Sequence, residues 1–412
     1  MNKRLDLFCL FFLVSFVAVC QDSLLYYKGE KITTVADWEN KRRPELKNLA
    51  LENIYGFMPQ PPEWDAKIIK EVSLREQNIL YKEVAIQLYK DNNPTRTIRL
   101  SLFIPANQTK PVPVVLALNK CGNCTVSSIA EAGVYHDRML HPMCRKAMKE
   151  KGGTVESLRG MQNDYWTLDT LLKRGYAFAT FHDSDIAADT NSLEQGIFPF
   201  YPELNNETGW KLISAWAWGL QRAVDYLVTD KQVDSTRIIL FGHSRRGKAA
   251  LLAAALDERA AMVVPHQSGT GGMALGKKHP MESIRRINKT FPFWFNERFK
   301  TYSRKPKTLP IDQHYLLALM TPRPVIETVG KWDVWSSYWL SLKTMRLVSP
   351  VYDLYGKRGL TGSGKISNRA SFKTNKPGEL VQVRRPYKHD MNGDYWIFIL
   401  DFADLKLCSS EQ

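Results

Sequence analysis

The segment Gly242-His243-Ser244-Arg245-Arg246-Gly247-Lys248 sets one hydroxyl among four cationic side chains, counting His243 in its charged form. An apolar run, "RIILFG", leads into it, and an alanine-rich run, "AALLAAALDERAA", leads away. That is the context of a nucleophile elbow: a buried strand, a tight turn that needs a small residue beside the serine, then a helix. The helix N-terminus favours developing negative charge. The usual spacing is G-x-S-x-G. Here Arg246 stands in the second glycine's place and Gly247 comes one later. The plainer alternative is a serine that only caps a helix.

A serine hydroxyl is a weak nucleophile and needs a base. In α/β hydrolases the chain order is serine, acid, histidine. His266 with His279, His314 and His389 follow the serine region. His389 lies in "RRPYKHDMNGDYW", a polar loop just before the last apolar segment, where the base of such folds sits. Taken alone it reads equally well as a surface histidine. His314, in "DQHYLLALM", reads as a structural residue at a helix start. The acid must lie between Ser244 and His389, at a strand end. "PRPVIETVGKWDVW" offers Glu327 inside a strand and Asp333 just after it, and Asp333 is better placed to reach a loop histidine. Asp333 as a plain turn residue is the competing reading. Gln267 is neutral and cannot do the job.

These residues need a frame. Period-2 alternation in "YKEVAIQLY" and "TIRLSLFIP" predicts early antiparallel strands. "PVPVVLALN" (111–119), "YAFATFH", "RIILFG", "AAMVVPHQ" and "RPVIETVG" are apolar runs of buried strands. Between them "YWTLDTLLKRG", "LISAWAWGLQRAVDYLV" (212–228) and the run from about Arg245 read as helices, and "DYWIFILDFADL" as a closing helix. Alternation of this kind implies a three-layer α/β sandwich, a mostly parallel central sheet with helices on both faces. Such sheets place their chemistry at the carboxyl ends of the strands. No linker interrupts the alternation, so residues 21–412 read as one catalytic domain with a polar lead over 21–75.

The 412 residues are 44% hydrophobic and 24% charged, enough apolar material for a large core. Lys3 and Arg4 followed by an apolar run from Leu7 to Cys20 read as a secretory signal, cleaved after Cys20. Lipid attachment to Cys20 is the alternative, and Val19 fits it poorly. The run is too short to span a bilayer, and no other segment is long and apolar enough. Export argues against nucleic acid as partner of the +15 chain. A basic surface suits polyanions such as acidic polysaccharides or anionic lipids, and a merely solvated surface is the equal alternative. "CGNC", Cys121 and Cys124, reads as a loop disulfide or a pair of buried thiols. It has no second close ligand pair, so no metal and no cofactor is assigned.

"GHSRRGKAALLAAALDERAA" resembles the G-x-S-R-x-G-K signature of the glucuronoyl esterases, carbohydrate esterase family 15. "ETGWKLISAWAWGLQRAVDYL", "SGTGG" (268–272), "FPFWF" (291–295) and "DYWIFILDFAD" fit as well, from about residue 95 to the end. The resemblance implies an α/β-hydrolase acting, without a metal, on the ester between 4-O-methyl-glucuronic acid of xylan and a lignin alcohol. It implies Ser244 as nucleophile, His389 as base and Arg245 at the oxyanion, with Lys248, Glu282 and Trp335 holding the sugar. Two departures matter. The fungal acid stands in "ESG", where this chain has Gln267 in "QSG"; many bacterial members carry an acid matching Asp333. The fungal cysteines beside the serine and histidine are His243 and Asp390 here. The expectation is therefore an exported, monomeric esterase acting on a glucuronate-bearing polysaccharide. The alternatives are an esterase on acetyl xylan or pectin methyl ester, and a non-catalytic carbohydrate-binding relative.

Overall fold

Alternating side chains in "YKEVAIQLY" and "TIRLSLFIP" do build an antiparallel start. The computed structural model describes residues 24–135, 139–366 and 377–408. Strands β1 (Trp64–Leu74), β2 (Ile79–Lys90) and β3 (Asn93–Pro105) form a meander, with Ile68 opposite Val84 and Val84 opposite Leu100. β1 ends the sheet and is mostly exposed, and Lys67, Lys70 and Glu71 along it discourage edge-to-edge pairing. The leader reading, residues 1–20 with Cys9 and Cys20, lies outside the described residues.

The continuous apolar runs give the parallel half. β4 (Val112–Asn119), β5 (Ala177–His182), β6 (Val233–His243), β7 (Ala260–His266), β8 (Val325–Gly330), β9 (Leu360–Ile366) and β10 (Leu380–Arg385) complete a sheet of ten strands. Its order is β9-β10-β8-β7-β6-β4-β5-β3-β2-β1, and all pairs from β5 to β9 are parallel. Every residue of β4, β5 and β8 is buried, as strands covered on both faces must be.

Helix α1 (Leu212–Leu227) is buried at every position but Asp225, so it is apolar nearly all round. It packs beside α2 (Arg245–Leu256), whose alanines at 249, 250, 253, 254 and 255 are all buried. Small side chains let the two helices sit close to the sheet and to each other; Gln221 Nε2 donates to Ala253 O at 3.2 Å. On the opposite face Trp166 and Phe241 pack with Trp396 of the closing helix Gly393–Ala403.

The stretch 21–75 is folded from Leu24 onward. Helix Arg43–Ala50 buries Leu46, and Tyr55 is fully buried with its hydroxyl on Gly271 O (3.1 Å) and Gln313 Oε1 (2.9 Å). The lead thereby ties into the glycine-rich loop beside the site. The thiols differ from expectation. Cys121 is bonded to Cys144, across a separation of 23 residues, and Cys124 is a buried free thiol. Helix Pro142–Glu150 carries Cys144 to within 5.5 Å of Cys121, Cα to Cα. Cys124 points instead toward Val155 O (3.8 Å), and burial pushes it up to about 11. Local spacing in "CGNC" is therefore no guide to the pairing.

Candidate active site

The serine stands in the turn between β6 and α2, at φ 59° and ψ −126°. That left-handed backbone is costly for a residue with a Cβ and recurs at strained functional turns. The neighbouring glycines are what permit it. A Cβ on Gly242 would lie 2.1 Å from Arg246 O, and one on Gly247 would lie 2.8 Å from Gly242 O and 3.1 Å from His266 O. Gly247, rather than residue 246, is the position pressed against the strand ends. Residue 246 is thus free to carry a long side chain, and Arg246 pairs with Asp183 in the interior. Ser244 N–H donates to His266 O at 2.9 Å, which pins the turn to the neighbouring strand.

His389 Nδ1 lies 2.7 Å from Asp333 Oδ2. Asp333 is only 2% exposed, while the His389 side chain is 40% exposed. The other Asp333 oxygen, Oδ1, accepts from Trp335 N–H (3.1 Å) and Ser336 N–H (3.3 Å). Burial works to raise the Asp333 carboxyl, but the His389 contact and Ser336 outweigh it and hold the group below its ordinary value. Glu327, the alternative acid, points away into the sheet. Its Oε2 accepts from Gln382 Nε2 at 2.7 Å, and burial pushes it up to about 7.

Ser244, Arg245, Lys248, Glu282, Trp335 and His389 all line one cavity of about 350 Å³. Asp333 stands directly behind His389. The seven residues singled out in sequence are therefore brought together. Arg245 is fixed on one wall: its Nη1 is 2.5 Å from Asp189 Oδ2, and its guanidinium lies 4.4 Å from the Trp294 ring and 4.8 Å from the Phe291 ring. Trp294 Nε1 donates to the other Asp189 oxygen at 3.3 Å, so the clamp closes on itself.

Lys248 is buried, and its ammonium donates to Ser268 O and Thr270 O (2.6 Å each) and to both oxygens of Glu282 (3.1 and 3.2 Å). An ammonium has three donors, so these partners saturate it. Burial lowers Lys248 and raises Glu282, while their mutual attraction opposes both shifts. Gly269, at φ 60°, makes room for the pair: a Cβ there would lie 2.1 Å from Glu282 Oε2. Gly269→Ala should displace Glu282, cost about 1–3 kcal/mol of stability and raise KM. Thermal denaturation and steady-state kinetics on the same variant check both.

Trp335 is 41% exposed on the rim, with the Arg286 guanidinium 4.3 Å from its ring centroid. Arg286, Phe291 and Trp294 line the cavity but were not singled out as site residues; nor was Asp189. The only sequence signal for them is the aromatic density of "FPFWF". His243 is not a surface cation. Its Nδ1 meets Tyr165 OH and its Nε2 meets Gln267 Oε1, both at 3.0 Å, and burial first, then the neighbouring histidines, drives it well below its ordinary value. Among the described residues no cluster of three or more His, Cys, Asp or Glu could hold a metal ion.

A sequence profile described as "Glucuronyl esterase, fungi" matches residues 158–356. A carbohydrate esterase from an unknown prokaryotic organism is 32% identical over 93% of this chain and 88% of its own length. A 4-O-methyl-glucuronoyl methylesterase from Cerrena unicolor is 29% identical over 48% of this chain, and the match spans 43% of that fungal protein. Among solved structures, a promiscuous family 15 esterase from a marine bacterial metagenome superposes with TM-score 0.84 at 31% identity, covering 93% of this chain and 96% of that one. A glucuronoyl esterase from Solibacter usitatus does so with TM-score 0.82 at 30% identity, over 93% and 97%.

Proposed function

This chain belongs to the glucuronoyl esterases, carbohydrate esterase family 15, and from that premise we propose that Ser244, His389 and Asp333 cleave a glucuronate ester borne on a plant polysaccharide. The enzyme is a carboxylic ester hydrolase. The observation that carries the residue assignment is the shared cavity: Ser244, His389 on its buried Asp333, and Arg245 locked by Asp189 all face one volume.

In this reading Ser244 Oγ attacks the ester carbonyl, and His389 Nε2, the ring nitrogen left free by Asp333, takes the proton. The tetrahedral oxygen becomes negative beside the α2 N-terminus and the Arg245 guanidinium. One such donor is typically worth 10²–10³ in rate. Collapse expels the alcohol, which receives the proton from His389. Water then repeats the sequence on the acyl-enzyme and releases the uronic acid. The negative charge on the tetrahedral oxygen explains why a guanidinium stands at this wall. Lys248, with every donor spent, acts on the sugar through its charge and by fixing Glu282. Glu282 and the indole of Trp335 supply the contacts to the pyranose.

The ester we assign is that of 4-O-methyl-glucuronic acid on glucuronoxylan, as in lignin–carbohydrate linkages, and the enzyme works as an exported monomer. The export reading is supported by the apolar run Leu7–Cys20. No helix among the described residues is long and apolar enough to cross a membrane. Parallel assays on benzyl glucuronate and acetylated xylan test the substrate class. Turnover of the glucuronate at least about tenfold above the acetyl ester is expected, because only the glucuronoyl group carries a pyranose on its acyl side for Glu282 and Trp335 to hold in the transition state. Faster release of acetate would move the enzyme to another polysaccharide ester.

A further inference from the structure

The turn that carries His389 is gripped from beneath. Lys388, His389 and Asp390 are all exposed, and the His389 side chain is tied to Asp333. Gln267 Nε2 donates to Lys388 O at 2.7 Å, and His266 Nε2 lies 2.8 Å from Asp390 O. These are the two carbonyls on either side of His389. Asp390 N–H also donates to Lys388 O (3.0 Å), which makes His389 the apex of a three-residue turn.

Consecutive residues of a strand point to opposite faces, yet His266 and Gln267 reach the same turn. The left-handed backbone at Gln267, φ 46°, breaks the alternation at the end of β7 and makes this possible. Donor and acceptor roles then follow without freedom. A carbonyl only accepts, so His266 carries its proton on Nε2, and its Nδ1 accepts from Thr328 Oγ1 at 2.7 Å. Gln267 spends its NH₂ on Lys388, so its Oε1 accepts from His243 Nε2, and His243 Nδ1 accepts from Tyr165 OH. Burial pushes His266 down to about 4, which keeps it neutral at neutral pH, and its two partners fix the tautomer.

We propose that His266 and Gln267 are positioning residues, a two-point clamp that sets where the His389 imidazole stands relative to Ser244. The proposal rests on His389 being the base. A displacement of about 1 Å in a catalytic group can cost about 10²-fold in rate, so the loss should fall on kcat and spare KM.

The test uses the full chain with benzyl glucuronate at pH 8. Gln267→Met keeps the shape and removes the donor; its kcat should fall about tenfold. Gln267→Ala removes the donor together with the bulk beneath the turn and should fall at least as far. His266→Phe should fall similarly, and His266→Gln, which restores an N–H at the Nε2 position, should recover to within about threefold of the parent. KM should stay within about threefold throughout. Parent-like kcat in both Gln267 variants, losses carried by KM, or equal losses in His266→Phe and His266→Gln would each overturn the clamp. If His266→Phe does not fold, the Gln267 pair decides alone. His389→Ala, run alongside, separates the two levels. Turnover surviving there removes the base assignment itself, whereas an inactive His389→Ala beside parent-like Gln267 variants removes only the clamp.

Discussion

Ser244→Ala is expected to abolish ester cleavage, with a loss on the order of 10⁵–10⁶ in kcat by comparison with removal of a serine nucleophile from a triad, while the protein stays folded. Folding should survive because the Ser244 side chain caps nothing: the helix that starts at Arg245 receives no side-chain hydrogen bond from it. The turn is held by the backbone contact to His266 O and by the glycines at 242 and 247, which the substitution leaves alone. The strain at φ 59° adds a second, independent readout. Ser244→Gly removes the Cβ from a left-handed backbone and should be more stable than Ser244→Ala by about 1 kcal/mol, though equally inactive. Circular dichroism, thermal denaturation and hydrolysis of benzyl glucuronate measure all three. Turnover persisting in Ser244→Ala would remove the nucleophile assignment. A non-catalytic carbohydrate-binding relative predicts instead that the parent chain itself turns over nothing.

Most of the frame was legible in sequence because buried parallel strands advertise themselves. β4, β5, β6, β7 and β8 appear as apolar runs, and β2 and β3 as alternation, whereas β1 lies within 21–75, which reads as a polar lead. The parts that escaped lack such signatures. Helix Tyr338–Leu354 carries Pro350 in its interior and exposes Trp339 and Leu347, so its 3.6-residue pattern is blurred. Strand β10, "LVQVRR", puts Gln382 in the core, where its amide serves Glu327. At the site, the elbow and the histidine loop were readable from their positions relative to strands. Asp333 outranked Glu327 because it follows the strand instead of lying within it. The wall that holds Arg245 was not readable: Asp189 and Trp294 are far from it in the chain, and only folding puts them within reach. The Cys121–Cys144 bond is hidden for the same reason. His243 shows the reverse error. It counts as a cation in sequence, and burial makes it neutral.

Asp333→Asn should cost about 10³–10⁴ in kcat, and the geometry says why an amide cannot substitute. Oδ1 of Asp333 is held by the Trp335 and Ser336 N–H groups. In the variant those donors keep the amide oxygen, so the NH₂ must face His389 Nδ1. That nitrogen can then only accept, the ring proton moves to Nε2, and the base has no lone pair for the serine proton. Gln267→Ala should lose far less, because it loosens the His389 turn without reversing the tautomer. Glu327→Gln should stay near the parent, since its Oε2 contact needs only an acceptor. A larger loss in Gln267→Ala than in Asp333→Asn would move the acid to another residue. Stability supplies a further check with a definite sign. The Asp333 carboxyl is depressed in the folded state. Its contribution is therefore present above the unfolded carboxylate value near pH 4 and lost as pH falls through the folded one. The stability gap between the parent and Asp333→Asn should accordingly be full at pH 6 and close on acidification below about pH 4. A gap that widened with acid would mean that the carboxyl is held protonated, and with it the pairing to His389 would go.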